Sequence, residues 1–598
     1  MKLRSFFLGL LAVVLVLLGL GGAGAYWLTA HSPLQVLTAG GDRLPNAAMF
    51  VSKQAPAMVS LLVAPKDMKA LRQVLVAPNQ RRQARLEWEQ VEQSVLTGTG
   101  LTFERDIQPW MGDEITLAIT SVDLDRDPGN GSQPGYLLAI ASADVEQARE
   151  FLQILWQKRA IAGTDLTFEQ YKGVKLIYNE VPIAAAPDNP VAKILPSPSL
   201  ATAIVGEGSG DSDPAFILFA NHPKVLREAI TNVQVPTLNL DNAPFYREAL
   251  ETLTKPRLGV ALVNVPQIAA WLEGVEVLTP PPAVRPPAAS LRPAQTLAIA
   301  LELDPQGLVL ETAVSAPDRP AIAPRLTTPI AALQYVPATS GLTAASTNLQ
   351  QLWTETAAQI QDYPTLATVI NSALQTVKQT QQLDLPQDIF PWVTGEYALA
   401  HLPNPVPKAA KGAIAPDQPS GDWIFVAERG KGEPTTAALA HLDDLAQQQG
   451  YSIGAVPLGD RSVSVWTKLT PDPDACADRR RPCQSLQAEV QAVHATVGQY
   501  ELFTNSLNAM EQAFQAEAQG LLAQPAFQQA IAGFPTPNNG YLYLDWRRSQ
   551  ALLERRVPLL AVLELVASPV FSHLDSVTVS SYGRQAGIQR SVVRLRFT

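Results

Sequence analysis

Charged side chains, cysteine and histidine are all scarce in this sequence. Asp, Glu, Lys and Arg together make up 17% of the 598 residues, and the formal net charge is -10. A chain of this composition is neither a disordered polyelectrolyte nor a basic nucleic-acid-binding protein, so we expect no nucleic-acid partner. The six histidines are scattered without the spacing of metal ligands. We therefore expect no metal site and no bound cofactor.

Catalytic signatures are also missing. The sequence contains no G-x-S-x-G nucleophile elbow, no G-x-x-x-x-G-K-[ST] phosphate loop and no H-E-x-x-H zinc motif. The stretch GEGSGD is not a dinucleotide fingerprint, because Asp211 replaces its last glycine. These absences favour a non-enzymatic protein, and an enzyme with a dispersed site stays the alternative.

The two cysteines, Cys476 and Cys483, lie close together in the segment CADRRRPC. In an exported protein this spacing predicts one local disulfide, which closes a small ring and contributes about 2.5 kcal/mol. Two free thiols are the alternative. A zinc site is a poor interpretation, because no histidine lies nearby to complete a tetrahedral shell.

An uncharged apolar run occupies residues 6–28. At the rise of an α-helix it spans about 34 Å, enough to cross a bilayer core. Lys2 and Arg4 precede it, which predicts a cytoplasmic N-terminus and an exported body. We therefore assign residues 1–29 to a cytoplasmic stub and transmembrane anchor. A cleaved signal peptide is the alternative, because the leucine-rich part of the run is followed by the small residues Ala23-Gly24-Ala25.

The chain contains an internal repeat. Residues 106–118 (DIQPWMGDEITLA) align without a gap on residues 388–400 (DIFPWVTGEYALA), with seven identical columns out of thirteen. Similar matches at nearly constant offsets extend over much of the two halves, which indicates a tandem duplication. Among the identical columns, those with a polar or aromatic side chain or a proline are Asp106, Pro109, Trp110 and Glu114 in the first copy and Asp388, Pro391, Trp392 and Glu396 in the second.

The repeat defines the expected domains. We assign residues 30–43 to a tether, 44–315 to a first lobe, 316–332 to a proline-rich linker and 333–598 to a second lobe. Within each lobe, short β-rich runs bounded by Gly, Pro, Asp or Asn alternate with helical periodicity. The predicted fold class is therefore α+β: an N-terminal transmembrane helix and two homologous lobes, each an antiparallel or mixed sheet with helices packed on it.

We interpret the repeated block as structural. An enzyme site is usually assembled once, whereas a role in closing a core has to recur in each copy. In this interpretation the proline ends a helix, the tryptophan fills space against the sheet and the aspartate caps a turn. A ligand site is the alternative. Four residues that each follow a strand and precede a helical pattern are predicted helix N-caps: Asn221, Asn505, Asn264 and Asp545.

The apolar N-terminal run, the doubled DI-x-PW-x-x-x-E block and the LF-x-N step from strand to helix resemble a family of exported cyanobacterial proteins of unknown function. The resemblance implies a plasma or thylakoid membrane, with the body in the periplasm or the thylakoid lumen, and it supplies no site. We expect a scaffold or assembly factor that binds another envelope or thylakoid protein. The alternative is a carrier for an apolar ligand such as a lipid or pigment, and an unrecognised enzyme is a third possibility.

Overall fold

The structure of this chain is a computed structural model. It describes residues 43–62, 103–126, 133–179, 199–206, 214–253, 257–265, 267–268, 296–304, 307–315, 321–360, 371, 374–375, 378–379, 383–403, 421–430, 433–471, 486–556, 571 and 574–597. The predicted membrane segment at residues 6–28 and the cysteine loop with Cys476 and Cys483 lie outside the described residues. Among the helices of the described part, none has the length and apolar character to cross a membrane.

The chain divides into two compact units. The first contains Met1–Ala321, Val557–Leu574 and Arg584–Thr598, and the second contains Ile322–Arg556 and Asp575–Gly583. The chain thus leaves the second unit near its C-terminal end, and the last strand belongs to the first unit. From sequence we had assigned this strand to the second lobe.

The first unit is an antiparallel sheet. Its strands are β1 (Ala57–Leu61), β2 (Met111–Ser121), β3 (Gly135–Ser142), β4 (Thr167–Tyr171), β5 (Val174–Asn179), β6 (Leu200–Val205), β7 (Phe216–Ala220), β8 (Gly259–Asn264), β9 (Thr296–Asp304) and β10 (Gly307–Ser315). Hydrogen bonding places them in the order β4-β5-β6-β7-β3-β2-β1-β8-β9-β10. Val, Ile, Leu, Ala and Phe dominate these runs, as expected for strands that bury one or both faces.

Helices cover both faces of this sheet. They are α1 (Val145–Ile161), α2 (Pro223–Gln234) and α3 (Pro244–Glu251), with a short 3-10 helix at Asn46–Phe50 and a π-helical turn at Phe103–Ile107. The Asp144 side chain caps α1 by accepting from the backbone N–H groups of Glu146 and Gln147. Helix α1 packs in one apolar cluster with Trp110, whereas residues of α2, α3 and the 3-10 helix share the cluster of the opposite face.

The second unit has the same order of elements. Its strands are β11 (Leu342–Thr347), β12 (Glu396–Pro403), β13 (Gly421–Glu428), β14 (Ser452–Leu458), β15 (Arg461–Pro471), β16 (Leu486–Val497), β17 (Tyr500–Thr504), β18 (Tyr541–Asp545) and most of β19 (Leu574–Gln585). The hydrogen-bonded order is β14-β15-β16-β17-β13-β12-β11-β18-β19. Strand for strand, this pairing matches that of β4 to β9 in the first unit.

The second unit also has helices between its strands, in an order along the chain like that of the first unit. They are α4 (Leu349–Ile360), α5 (Glu433–Gln448), α6 (Leu507–Gln519), α7 (Pro525–Ala532) and α8 (Trp546–Arg556). A 3-10 helix at Ala331–Tyr335, a π-helical turn at Leu385–Ile389 and short 3-10 turns at Phe390–Trp392 and Leu521–Ala523 complete the described elements. Helix α5 and the π-helical turn contribute to one apolar cluster with Trp392, Tyr397 and Phe503.

The predicted fold class is wrong about the number of sheets. Hydrogen bonds connect all twenty described strands in a single sheet, so the chain does not form two lobes with separate sheets. The last strand, β20 (Ile588–Phe597), pairs with β10 inside the first unit, and β19 pairs with β18. Sequence periodicity marks β20 as a strand but carries no information on which distant edge it joins, and that is why the separate lobes were predicted.

Candidate functional site

The repeated block lies at the same place in each unit. The indole Nε1 of Trp110 donates to the carbonyl oxygen of Asp106 at 2.9 Å, and Nε1 of Trp392 donates to that of Asp388 at 3.1 Å. Both tryptophans are buried, and each packs on a phenylalanine, Phe151 in the first unit and Phe503 in the second. Pro109 and Pro391 are exposed and follow the π-helical turns. These contacts are internal to the core and leave the two indoles no free donor for a ligand.

The glutamate of the block joins the sheet to a 3-10 helix. The Glu114 carboxylate accepts from the backbone N–H groups of Asn46 at 3.0 Å and Ala47 at 2.7 Å, and Glu396 accepts from Ala332 N–H at 3.1 Å. Burial raises the pKa of Glu114, and the two N–H donors offset part of that rise. Both glutamates therefore bind orphan donors of a helix start, which is a structural task.

Two of the predicted caps have a different role. Helix α2 is capped by His222, whose Nδ1 accepts from Lys224 N–H at 3.1 Å, and not by Asn221. The Asn221 amide instead accepts from Tyr136 N–H and donates to the Pro134 carbonyl, both at 2.8 Å. It thus ties the end of β7 to the start of β3.

The second unit repeats this arrangement. Ser506 caps α6 by accepting from Ala509 N–H at 3.0 Å, while Asn505 accepts from Trp423 N–H at 2.9 Å. The cap prediction for Asn221 and Asn505 is wrong by one residue, because the asparagine is still engaged with the neighbouring strand when the helix begins.

The other two predicted residues do occupy helix starts. Asn264 Oδ1 accepts from Gln267 N–H at 3.2 Å, and Asp545 Oδ1 accepts from Arg548 N–H at 3.1 Å. Their own N–H groups donate to Pro56 and to Gly341 at 2.8 Å in each case.

The second unit has a partly exposed apolar face on its sheet. Directly paired residues of antiparallel strands point to the same side. Leu399 pairs with Ala344, and Ala344 pairs with Leu542 on its other side. In the next row of the same face, His401 pairs with Trp423. Leu399, Leu542 and Trp423 are exposed to 47%, 43% and 39%. We call this surface the open face and define it by Leu342, Leu399, His401, Trp423, Leu542 and Leu544.

The matching positions of the first unit are closed. In the same places in the strand order stand Leu117, Tyr136 and Ala261, exposed to only 3%, 5% and 8%. Ile119 and Tyr136 form a small apolar cluster there. The two matching leucines thus differ in exposure: Leu117 lies in the core of the first unit, and Leu399 lies on the surface of the second.

The open face carries no formal charge at its centre. Burial lowers the pKa of His401, and the nearby Asp422 offsets only part of that effect. The imidazole is therefore neutral near pH 7. A neutral surface of Leu and Trp side chains on rigid strands has the composition of the centre of a protein interface.

A second feature of this unit is a charged cluster that is buried at Glu501 and partly exposed at Asp443. The His494 ring lies between two carboxylates, with Nδ1 at 3.0 Å from Glu501 Oε1 and Nε2 at 3.4 Å from Asp443 Oδ1. Trp466 Nε1 donates to Asp443 at 2.8 Å, and Thr496 Oγ1 donates to Glu501 at 2.7 Å.

The cluster does not have the geometry of a catalytic base. Burial by itself lowers the pKa of His494, but the hydrogen bond and charge of Glu501 together with the charge of Asp443 outweigh burial and raise it. Since both ring nitrogens already face carboxylates, neither is directed at a nucleophile. The His494 ring also stacks on Phe503 at 5.6 Å, so it forms part of the core.

Neither feature was found from the sequence. A signal for the cluster was present in the repeat, because Ala203 aligns with Ala495 and the preceding residues are Thr202 and His494. A histidine that replaces a threonine on a buried strand needs partners. For the open face there was no such signal.

The described residues contain no group of three or more His, Cys, Asp or Glu side chains that could hold a metal ion. A family model matches nearly the whole chain: the family described as "Protein of unknown function (DUF3352)" matches residues 10–597. The chain belongs to this family. No curated protein and no solved structure matches it. Membership confirms the resemblance to a domain of unknown function and names no ligand, partner or reaction.

Proposed function

We propose that this protein is a non-enzymatic interaction factor outside the cytoplasm, and that a partner protein binds to the open face of its second unit. The observation that carries the proposal is the contrast in exposure between Leu399 and Leu117, which occupy the same position in the two units. An apolar surface of this kind is retained on a folded protein when it has a partner.

The location rests on the sequence of residues 6–28, either a membrane anchor or a signal peptide. The resemblance to cyanobacterial proteins favours the plasma or thylakoid membrane, with the body in the periplasm or lumen. We also propose that the two halves of the chain descend from one copied unit. The matching strand order and the paired blocks around Trp110 and Trp392 support this origin.

A protein partner is favoured over an apolar ligand because the exposed leucines and the tryptophan lie side by side on paired strands. The cavity next to α2, of about 410 Å³, is lined by Lys, Arg, Glu, Thr and Asn side chains. An apolar ligand would need an enclosed apolar space. The open face is instead a surface on strands. Its anchor in this proposal is Trp423, because tryptophan side chains often contribute most of the binding energy at protein interfaces.

Site-specific photo-crosslinking in cells tests the proposal. A photoreactive amino acid replaces Trp423 on the open face, and in the control it replaces Phe168, which is exposed on β4 of the first unit. We expect one protein to crosslink from position 423 and not from position 168, and to be lost when Leu399→Asp and Leu542→Asp are added. Crosslinking to lipid from position 423 would favour the carrier, and equal products from both positions would overturn the proposal.

A further inference from the structure

A polar groove crosses the surface of α2 in the first unit. Its walls are α2, the turn that contains Lys53, and Tyr171 at the end of β4. The volume of about 410 Å³ can accommodate a small organic molecule. Lys224 lines it from the first turn of α2, and Arg227 and Glu228 line it from the next turn.

Positive charge predominates in this groove although the protein is acidic. Lys53, Lys224 and Arg227 line it, and Glu228 is the carboxylate that lines it with them. Lys172 adds a fourth cation at the edge, because its Nζ lies 3.1 Å from Oγ1 of the groove residue Thr231. Within the described part of the chain, the Lys53 ammonium has no ion-pair partner.

The cations differ in how far they are already engaged. Arg227 donates through Nε and Nη2 to the two oxygens of Glu169, at 3.0 and 2.6 Å, and this pairing lowers the pKa of Glu169. Burial raises the pKa of Glu228, with Lys224 and Arg126 acting against that rise. The guanidinium fork is therefore taken. Lys224 acts on the Glu228 carboxylate and its Nζ donates to the Leu124 carbonyl oxygen at 2.5 Å, so Lys53 is the groove cation with no ion-pair partner among the described residues.

This arrangement selects among anions. A planar carboxylate is bound best by a free guanidinium fork, which Arg227 does not offer. A phosphate group has oxygens in several directions and suits a set of lysine point charges. The Thr231 hydroxyl at the same wall donates to the Arg227 carbonyl oxygen at 2.8 Å, so the lysines are the groups that can donate to a phosphate here.

The corresponding surface of the second unit lacks these charges. Counting from the caps His222 and Ser506, the positions of Lys224 and Arg227 are occupied by Asn508 and Glu511. Ser52 and Pro337 form corresponding isolated β-bridges in the two units. The residue after the bridge is Lys53 in the first unit and Ala338 in the second. The helix and the turn are therefore kept in both units, but the basic groove is specific to the first.

We propose that the groove lined by Lys53, Lys224 and Arg227 binds a phosphate group, carried by a small phosphorylated molecule or by a phospholipid headgroup. This site is independent of the partner surface proposed above, since the two lie in different units and use different chemistry.

Calorimetric titration of the full-length protein tests the site, with inorganic phosphate and sn-glycerol 3-phosphate as probes. The variant is Lys53→Gln with Lys224→Gln. The matched control is Lys158→Gln with Lys468→Gln, two exposed lysines away from the groove that remove the same charge. We expect the variant to lose affinity about tenfold or more, the control to stay within about twofold, and added salt to weaken binding.

Co-sedimentation with vesicles separates the two sources. Binding to phosphatidylglycerol vesicles and not to phosphatidylcholine vesicles, lost in the groove variant and kept in the control, assigns the phosphate to a lipid headgroup. Soluble probe binding without that difference assigns it to a small molecule. The proposal is overturned if the unaltered protein binds no probe and no vesicle, or if the groove variant and the control behave alike while circular dichroism shows both folded.

Discussion

The two units build the same strand order and use it differently. In the first unit, Trp156 Nε1 donates to Thr202 at 2.8 Å, a neutral contact between α1 and β6. In the second unit the same space holds Asp443 and His494, with Glu501 where the first unit has Ile217. A shared backbone architecture therefore specifies positions and not their chemistry, so function has to be sought where the units differ.

The differences fall into two kinds. The first unit has a closed sheet face, the neutral contact between Trp156 and Thr202, and a basic groove on α2, whereas the second has the open face and the charged cluster. None of these differences changes the strand pairing. Substitutions at matched positions should therefore affect the two units unequally, and four experiments measure that inequality.

The largest effect is expected at Glu501. The Glu501→Gln substitution leaves His494 with one carboxylate fewer in a buried site, and removal of one partner of a buried charged pair costs about 3 to 5 kcal/mol. Chemical denaturation measures the free energy of unfolding, and peptide-resolved hydrogen exchange shows whether the loss is confined to the second unit. Glu489→Gln on the exposed part of β16 is the control. A similar loss of unfolding free energy in both variants would show that the charged cluster does not stabilise the second unit.

The next effect compares two leucines at one structural position. Leu117→Ala removes a buried side chain and is expected to cost about 2 to 5 kcal/mol, whereas Leu399→Ala on the open face is expected to cost under about 1 kcal/mol. Denaturant titration of both variants gives the two values. Equal losses would mean that the face around Leu399 is closed in solution, and the proposed partner surface would then be lost.

This pair also shows what a sequence can and cannot predict. The runs of Val, Ile and Leu predict the strands, and the repeated block places Trp110 and Trp392 at matching points of two cores. The repeat gives Leu117 and Leu399 the same residue type in the same pattern, so no local signal distinguishes the buried one from the exposed one. The partner of β20 is equally invisible, because it is set by the edge of a distant strand.

The helix caps show the same limit of prediction from sequence at the level of single side chains. Asparagine after a strand and before a helix predicts a cap, and the rule succeeds in position for Asn264. It misses at Asn221, where the side chain is drawn to the backbone of Tyr136 across the sheet. Tertiary contacts compete with local ones for the same amide, and sequence rules describe the local contacts alone.

A pH effect follows from His494, which has no counterpart in the first unit because Thr202 stands at the matching position. Because the pKa of His494 is raised in the folded protein, mainly by Glu501 and Asp443 acting against burial, protonation favours folding. This stabilisation is complete below the unfolded pKa of about 6.5 and is lost as the pH rises through the folded value. Hydrogen exchange across that window should report loosening of β16 and β17. The dependence should vanish in His494→Gln and persist in His441→Gln, which alters an exposed histidine; persistence in both would exclude His494 as its source.

The smallest effect is expected where the units agree. Asn264→Ala and Asp545→Ala each remove a side-chain acceptor at a helix start, and each should cost about 1 kcal/mol. Asp545→Asn keeps an acceptor for Arg548 N–H and should recover most of the loss, as should Asn264→Asp. Denaturation midpoints at constant m-value measure these changes. If one alanine variant is neutral while the other is costly, the turns that follow Asn264 and Asp545 are not stabilised alike. The units would then differ even at a position where their hydrogen bonds are the same.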